Sequence, residues 1–360
     1  MTTAHEASEA PRTDMLTRMA WVELQYSKKR VRRAGELIGG GEGTPEEVAE
    51  ARSIISNFRS SHSYPLLSVT AHVRGNALAV NPDAVVARRT KRLPTILDKL
   101  ERHPRMAVDS MQDMGGCRIV LDSVAEVDTL VERLENVVRA KNTIHKPYDY
   151  IRGPQETGYR GRHLVYSYQA SKVAYQGHKI EVQIRTRLMH SWATAIETMD
   201  LFSGSRLKYG EGPEQLKRFF AVTSGLMAIA EGTDPVPGVE GDIDDLRAEL
   251  WRIDEQLHVV ERLISYSSVA SRFPSSGRRS TILLSLDRTS GQLSVQVFET
   301  HAEAEEALAH IESVNDEDTD AVLVVISKIG QLRSAYPNYF GDTEAFVEFV
   351  DLQLNELDAE

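Results

Sequence analysis

Hydrophobic and polar positions alternate near residues 178–185, where Ile180, Val182 and Ile184 are separated by charged or polar residues. Alternation with a period of two is typical of a half-buried β-strand. Other stretches carry apolar runs bounded by turn residues, or apolar positions at helical spacing. They predict further strands and helices at 116–121, 123–140, 143–151, 163–169 and from about 186 onward. We therefore predict an α+β core in which helices flank a small mixed sheet.

The residues before this core are predicted to be mainly helical. Apolar residues recur at helical spacing over 14–38, and the glycines of GGGEG end that helix. Thr44 followed by Pro45 is typical of a helix N-terminus, and this second helix should run to about Tyr64. Residues 1–13 show no periodicity, and we expect them to be disordered.

The residues beyond 235 are predicted to form a second, smaller unit. A Pro/Gly-rich linker and a long amphipathic helix at about 241–268 occupy residues 236–271, and the helix could mediate self-association. Residues 272–360 then show strand and helix patterns that predict a C-terminal α/β domain. The main domain accordingly covers residues 14–235.

Charge is distributed unequally between these two parts. Residues 1–235 carry 33 Lys and Arg against 28 Asp and Glu, whereas residues 236–360 carry 9 against 25. The acidic helices could simply keep the C-terminal part soluble. Alternatively, the acidic domain could cover, or compete for, a site built for phosphates and so regulate it from within the chain.

Composition excludes several classes of protein. The single Cys117 rules out an intramolecular disulfide framework and a CxxC-type zinc site, and its place in an apolar run predicts a buried thiol. There is no N-terminal apolar stretch and no apolar run near 18 residues, so we expect neither secretion nor a membrane span. The expected compartment is the cytoplasm.

Two carboxylates are candidates for chemistry. Asp113 precedes the strand predicted at 116–121, and Glu181 lies within the alternating strand. Carboxylates on neighbouring strands can hold Mg²⁺ together with phosphate oxygens, and one of them can instead accept a proton from an attacking hydroxyl. Each residue alone is more often structural or simply solvated. The combination is typical of a metal-dependent phosphoryl-type transfer.

Positive charge and an aromatic loop accompany these carboxylates. Residues 85–105 contain seven basic residues but only Asp98 and Glu101 as acids; the basic residues are Arg88, Arg89, Lys91, Arg92, Lys99, Arg102 and Arg105. A solvated basic face is the common alternative, but the imbalance favours contact with polyphosphate or nucleic acid. The loop PQETGYRGRH at 154–163 adds a tyrosine ring on which a base can stack.

Four motifs, in order, resemble those of the RelA/SpoT-type alarmone synthetases. They are ARRTKRLPTILDKL, MQDMGGCRIV, PQETGYRGRH and KIEVQIRTRLMHSWA. The resemblance covers about residues 15–235, and the C-terminal unit lies outside it. It implies a nucleotidyltransferase-like fold that transfers pyrophosphate from ATP to the ribose 3′-hydroxyl of GDP or GTP. The product would be the stringent-response signal (p)ppGpp, with Mg²⁺ as the cofactor.

The resemblance also implies roles for individual residues. ATP would be bound by five basic residues: Arg89, Lys91, Lys99, Arg118 and Arg185. Asp113 would be the principal magnesium ligand, and Glu181 would help to hold the metal or activate the 3′-hydroxyl. Tyr159 would stack on the acceptor guanine, with His163 as a supporting contact. Because both are positively charged, Arg160 and Arg162 are candidates for binding the acceptor.

The chain also departs from the family, and this keeps alternatives open. Gly161 and Arg162 stand where an uncharged Ser-Leu pair is frequent. The added charge would suit an RNA acceptor, as in toxins that resemble this layout and modify the 3′-CCA end of tRNA. In that alternative the acidic C-terminal domain restrains the toxin. A third alternative is an inactive nucleotide-binding module, against which the retained carboxylates, basic residues and tyrosine argue.

The hydrolase and regulatory parts of long family members are not expected. No His-Asp dipeptide occurs, and no helical domain of suitable length precedes residue 85. The C-terminal unit is too short for the regulatory tail of ribosome-bound members. We therefore expect a synthetase-only chain with an acidic C-terminal extension, and the sequence leaves its trigger, oligomeric state and acceptor open.

Overall fold

A computed structural model describes the chain over most of its length. The described residues are 21–136, 142–169, 172–203, 206–269, 280–287, 293–298, 300–314, 319–326 and 343–357. The predicted disordered segment 1–13 and the predicted domain boundary at 272–279 lie outside these residues. Within the part that is described, we find no helix with the length and apolar character needed to cross a bilayer.

Among the described residues, three helices precede the first strand: α1 (Lys28–Gly40), α2 (Pro45–Ser60) and α3 (Ser63–Val80). A capping box fixes the start of α2, since Thr44 and Glu47 bond each other's backbone N–H groups. The prediction that this helix continues to Tyr64 was wrong: it ends at Ser60, and Pro65 lies in the first turn of α3. Proline fits there because a first-turn N–H has no intrahelical partner.

A mixed sheet forms the centre of residues 85–186, as predicted. Its strands and helices are β1 (Val85–Thr90), α4 (Leu93–Arg102), β2 (Gly115–Leu121), α5 (Val124–Asn136), β3 (Asn142–Asp149), β4 (Arg162–Tyr168), β5 (Lys179–Thr186), α6 (Arg187–Ser203) and α7 (Glu214–Glu231). Strand β1 and helix α3 had not been predicted, because their sequences lack a clear period. Helix α4 begins at Leu93, with Pro94 in its first turn.

The remaining elements belong to the C-terminal third. They are α8 (Ile243–Leu257), α9 (Val259–Val269), β6 (Ser280–Asp287), β7 (Leu293–Phe298), α10 (His301–Val314), β8 (Thr319–Ile326) and α11 (Glu344–Leu357). The single long helix predicted over 241–268 is two helices, because His258 adopts a left-handed conformation with φ 49° and breaks it.

All eight strands form one sheet, in the order β3-β4-β5-β2-β1-β8-β6-β7. The pairing of β2 with β5 is parallel, and the other described pairs are antiparallel. The strands of the predicted C-terminal α/β unit therefore continue the sheet of the core, through pairing of β8 with β1. The α+β class is confirmed, while the division into domains stays a prediction.

Besides a small set that joins α10 to β6 and β8, three larger sets of buried side chains among the described residues hold these layers together. One lies between the core sheet, α3 and α5, and a second joins α1, α2 and α4. The third joins α6, α7, α8 and α9 to α11, whose Phe346, Val347 and Val350 are buried. Burial of large apolar side chains is the main stabilising term for such layers, so α11 is part of the main core rather than an appendage.

Candidate active site

One face of the core sheet carries several of the predicted functional residues. Along β5, Ile180, Val182 and Ile184 are buried against the helices, so Glu181 and Gln183 point to the opposite face. Directly paired residues of neighbouring strands share a face. Glu181 pairs with Gly116, which pairs in turn with Arg89, and Gln183 pairs with both Arg118 and His163. Four predicted residues therefore lie on this face: Glu181, Arg89, Arg118 and His163. The fold thus brings the dispersed motifs together.

Asp113 lies just before β2, between two lysines. Its Oδ2 accepts hydrogen bonds from Lys91 Nζ at 2.9 Å and from Lys99 Nζ at 3.1 Å. Burial alone would raise the pKa of the Asp113 carboxyl, but the two lysines together hold it well below its ordinary range. Asp113 therefore stays ionised at neutral pH.

The local sequence explains why these lysines meet Asp113. Lys91 directly follows β1, and its backbone N–H donates to the Met114 carbonyl at 2.8 Å. Lys99 lies on α4, which buries Ile96 and Leu100 against α1 and α2 and so presents the lysine to the other side. Burial lowers the pKa of Lys91, while Asp113 opposes this shift.

Glu181 belongs to a second network that reaches the loop tyrosine. Its Oε1 contacts His163 Nδ1 at 3.0 Å, and its Oε2 accepts from Gln183 Nε2 at 2.7 Å. The other ring nitrogen of His163 bonds the Tyr159 hydroxyl, which also accepts from Arg185 Nη2 at 2.8 Å. Burial would raise the pKa of Glu181, but its bond to His163 holds it below the ordinary value.

The two carboxylates are close enough to act on each other. Glu181 pairs with Gly116, three residues after Asp113, and the charge of Asp113 opposes ionisation of Glu181. Neither carboxylate lies in a cluster of three or more potential metal-binding side chains among the described residues. A pair of carboxylates nevertheless fits Mg²⁺, which takes one or two protein oxygens and completes its shell with phosphate and water.

The loop that carries Tyr159 is held by its glycine and by α7. Gly158 has φ 90°, and a Cβ there would lie 3.0 Å from both Ser224 Cβ and a Trp192 ring carbon. The Gly158 carbonyl accepts from Ser224 Oγ at 2.6 Å. Tyr159 also packs against Trp192, at 6.4 Å between ring centroids. Only glycine fits this close, left-handed turn.

The two loop arginines point away from this network. Arg160 is 2% exposed and lies against α7, where its guanidinium bonds Thr233 and pairs with Glu231 Oε2 at 2.9 Å. Arg162 pairs with Asp149 Oδ2 at 2.6 Å. It lies on the opposite face of β4 from His163. Their acceptor-binding role stays a prediction, and the observed contacts anchor the loop.

Arg185 lies beside Tyr159. Its guanidinium carbon is 5.0 Å from the centre of the Tyr159 ring. Its Nη1 is buried and has no hydrogen-bond partner among the described residues. A buried guanidinium N–H without a partner is costly unless a ligand satisfies it. The predicted ATP contact for Arg185 stays a prediction.

An acid that we had not predicted lies near Arg89 and Arg118. Glu197 on α6 accepts from Lys208 Nζ at 2.7 Å. Burial would raise its pKa, but Lys208, Arg118 and Arg89 hold it well below the ordinary value. Both Glu197 and Lys208 lie outside the recognised motifs. No local sequence pattern indicated them, whereas Gln183 could have been found from alternation with Glu181.

Comparison with known proteins identifies the class. The family model described as "Region found in RelA / SpoT proteins" matches residues 88–201. The GTP pyrophosphokinase YjbM of Bacillus subtilis is 34% identical over 176 residues, which are 48% of this chain and 79% of that protein. The chain belongs to the RelA/SpoT family of pyrophosphokinase transferases.

The chain is also similar to an uncharacterized protein and to a solved alarmone synthetase. The uncharacterized protein Rv1366 of Mycobacterium tuberculosis is 27% identical over 193 residues, 53% of this chain and 65% of that protein. Among solved structures, small alarmone synthetase 1 of Bacillus subtilis bound to its product pppGpp is 27% identical with a TM-score of 0.42. That match covers 49% of this chain and 91% of that one.

Proposed function

We propose that this chain transfers pyrophosphate from ATP to the 3′-hydroxyl of GDP or GTP, which makes (p)ppGpp. The observation that carries the proposal is the meeting of two networks on one sheet face. The donor network joins Lys91, Lys99 and Asp113, and the acceptor network joins Tyr159 to Glu181 through His163. The names of the relatives, GTP pyrophosphokinase and small alarmone synthetase, agree with this activity.

The donor half is suited to a triphosphate. Lys91 and Lys99 both bond Asp113. When donor phosphates enter, each lysine can exchange the carboxylate for a phosphate, so neither cation is left unpaired. Arg89 and Arg118 share the same sheet face and act electrostatically on Glu197 beside them. Asp113 and Glu181 would hold Mg²⁺, which would neutralise charge on the donor phosphates.

The acceptor half is suited to a guanine nucleoside. Tyr159 offers an aromatic ring whose orientation is fixed by its bonds to His163 and Arg185. Stacking on such a ring binds a base without requiring a deep pocket. The buried Arg185 Nη1 lacks a protein partner among the described residues, and an acceptor phosphate would satisfy it.

The reaction then needs a base near the 3′-hydroxyl. In our proposal Glu181, held ionised by His163, accepts the proton as the 3′-oxygen attacks the β-phosphorus. The bond between the β-phosphorus and the oxygen bridging it to the α-phosphate breaks, and AMP leaves with that electron pair. Lys91 and Lys99 stabilise the charge on the transferred group.

The RNA-acceptor alternative depended on a positively charged loop. In the structure, however, Arg160 pairs with Glu231 and Arg162 pairs with Asp149. A phosphate backbone needs exposed cations for binding. The observed pairing therefore favours a mononucleotide acceptor.

A competition experiment tests the proposal directly. The full chain is incubated with Mg²⁺ and ATP labelled in its terminal phosphates, together with GDP, GTP and deacylated tRNA in one mixture. We expect label in the guanine nucleotides alone. Label in tRNA would establish the alternative, and label in neither would refute pyrophosphate transfer to these acceptors.

Substitution of Asp113 supplies the first prediction. Asp113→Asn removes the carboxylate between Lys91 and Lys99, and we expect the transfer rate to fall at least about 100-fold because the donor charges are no longer organised. The measurement is the initial rate of product formation at saturating ATP. Glu101 is an exposed acid on α4 itself, and Glu101→Gln should retain the wild-type rate. Equal rates for wild type and Asp113→Asn would contradict this role.

A further inference from the structure

A buried acid of the C-terminal third contacts the elements that carry the donor lysines. Glu312 on α10 accepts from Arg59 Nη1 at 2.7 Å through Oε1 and at 3.0 Å through Oε2. Its Oε1 also accepts from the backbone N–H of Leu93 at 3.1 Å. The side chains of Arg59 and Glu312 are 3% and 6% exposed. The pair is therefore desolvated, and water cannot replace either partner as a hydrogen-bonding group.

Leu93 is the first residue of α4, and this helix lacks a cap of its own. Its N-cap residue is Arg92, whose side chain makes no capping hydrogen bond. The first N–H groups of a helix need acceptors from elsewhere, and a negative charge there is favourable to the helix dipole. Glu312 supplies both, from more than 200 residues away in the sequence.

The same short segment carries the donor lysines. Lys91 lies two residues before Leu93, and Lys99 lies on α4 itself; both bond Asp113. Immediately upstream, Arg88 and Arg89 pair with Val325 and Val324 of β8. The C-terminal third thus fixes the segment from both sides, by strand pairing before Lys91 and by Glu312 after it.

We propose that Glu312 is a positioning residue for the donor half, and that the C-terminal third completes this half rather than restrains it. Glu312 holds the first turn of α4 so that Lys91 and Lys99 converge on Asp113 and on the donor phosphates. The proposal rests on the proposed pyrophosphate transfer and goes beyond it, since residues 88–201 alone match the family region.

The test compares substitutions in the full chain. Glu312→Gln keeps an acceptor for Leu93 but removes the charge, and it leaves Arg59 without its counterion. The double substitution Arg59→Met with Glu312→Met removes both charges together, which avoids a buried unpaired cation. For both we expect the KM for ATP to rise about tenfold, as is usual when a supporting contact behind a binding residue is lost. The kcat and the KM for GTP should stay near the wild-type values.

A matched control lies on the same helix. Glu305 also reaches from α10 to the core, where its Oε1 accepts from Ser63 Oγ of α3 at 3.1 Å. Glu305→Gln should leave the KM for ATP unchanged. Thermal unfolding of all variants shows whether each is folded at the assay temperature.

Binding of α,β-methylene-ATP, whose α–β bridge cannot be cleaved, separates this proposal from the proposed function. Weaker binding by both Glu312 variants, with the Glu305 variant normal, supports the positioning role. Unchanged affinity and unchanged KM in the folded double variant would overturn it. Faster transfer by that variant would also overturn it, since the C-terminal third would then be a restraint. If the wild type transfers no pyrophosphate, the proposed function fails, and the analogue affinities still decide the role of Glu312.

Discussion

At the scale of single residues, the candidate site is a set of charges that neutralise one another before any substrate enters. Asp113 is shared by Lys91 and Lys99, and Glu197 faces Lys208 beside the donor arginines. Isolated charges could not be buried this way at acceptable cost. Binding of a highly charged donor is then an exchange of partners, for which the protein is already organised.

Tyr159 offers a residue-scale test of the acceptor half. Tyr159→Ala removes the ring, and because stacking is worth about 1–3 kcal/mol per base, the KM for GTP should rise roughly 10- to 100-fold. Tyr159→Phe keeps the ring but loses the hydroxyl bonded by His163 and Arg185, so its KM should stay much closer to wild type. Steady-state kinetics with GTP varied at saturating ATP measure both, and the KM for ATP is the internal control. Equal effects of the two substitutions would argue against stacking.

At the scale of elements, the sequence predicted the core strands well and the donor elements less well. Alternation in β5 and the apolar run of β2 sufficed, since one face of each is buried. Strand β1 was missed because its polar residues come at its end and its pairing with both β2 and β8 is long-range. The site residues came from motifs, whereas Glu197, Lys208 and Glu312 act through tertiary contacts that no local pattern encodes.

The Tyr159 loop gives a prediction at this scale. Gly158→Ala places a Cβ 3.0 Å from Trp192 and Ser224 at φ 90°, so the loop must shift, at a cost of about 1–3 kcal/mol. We expect a lower unfolding temperature and a raised KM for GTP. The matched control is Gly153→Ala in the preceding turn, where the nearest atom to a new Cβ is Asp149 O at 3.5 Å, an ordinary contact. A Gly158→Ala enzyme with wild-type kinetics would show that the loop does not set the ring position.

At the scale of the whole molecule, a buried histidine pair joins the helical layer to the sheet. His62 at the start of α3 and His178 before β5 are 1% and 3% exposed, with ring centroids 4.3 Å apart. Ser61 Oγ lies 2.7 Å from His178 Nε2, and His62 Nδ1 lies 2.7 Å from Phe58 O. Burial lowers the pKa of His178 to about 4 and that of His62 well below its ordinary value, with Lys28 adding to both shifts.

This pair predicts how stability depends on pH. Because the folded pKa of each histidine is lower than the unfolded pKa, protons bind the unfolded chain preferentially. For His178 the stabilisation is complete above about pH 6.5 and is lost as the pH falls toward about 4, by about 1.4 kcal/mol per pH unit, and His62 adds to the loss in the same direction. Thermal unfolding between pH 7.5 and 5 measures the slope. His178→Gln should flatten it, and His145→Gln, an exposed residue of β3, should not. A slope that His178→Gln leaves unchanged would assign the pH dependence to other groups.

The pairing of β1 with β8 also determines when the sheet can be completed during synthesis. Arg88 can pair with Val325 only after Val325 has been synthesised. At about 5–20 residues per second, the ribosome reaches Val325 roughly 10–50 s after Arg88. During that interval one edge of β1 is open, and an open strand edge is a template for pairing with other chains. The apolar faces of Phe219 and Phe220 are likewise uncovered until Phe346 has emerged. The nascent chain is therefore a natural client for chaperones, and a truncated chain ending near residue 235 would keep that exposure permanently.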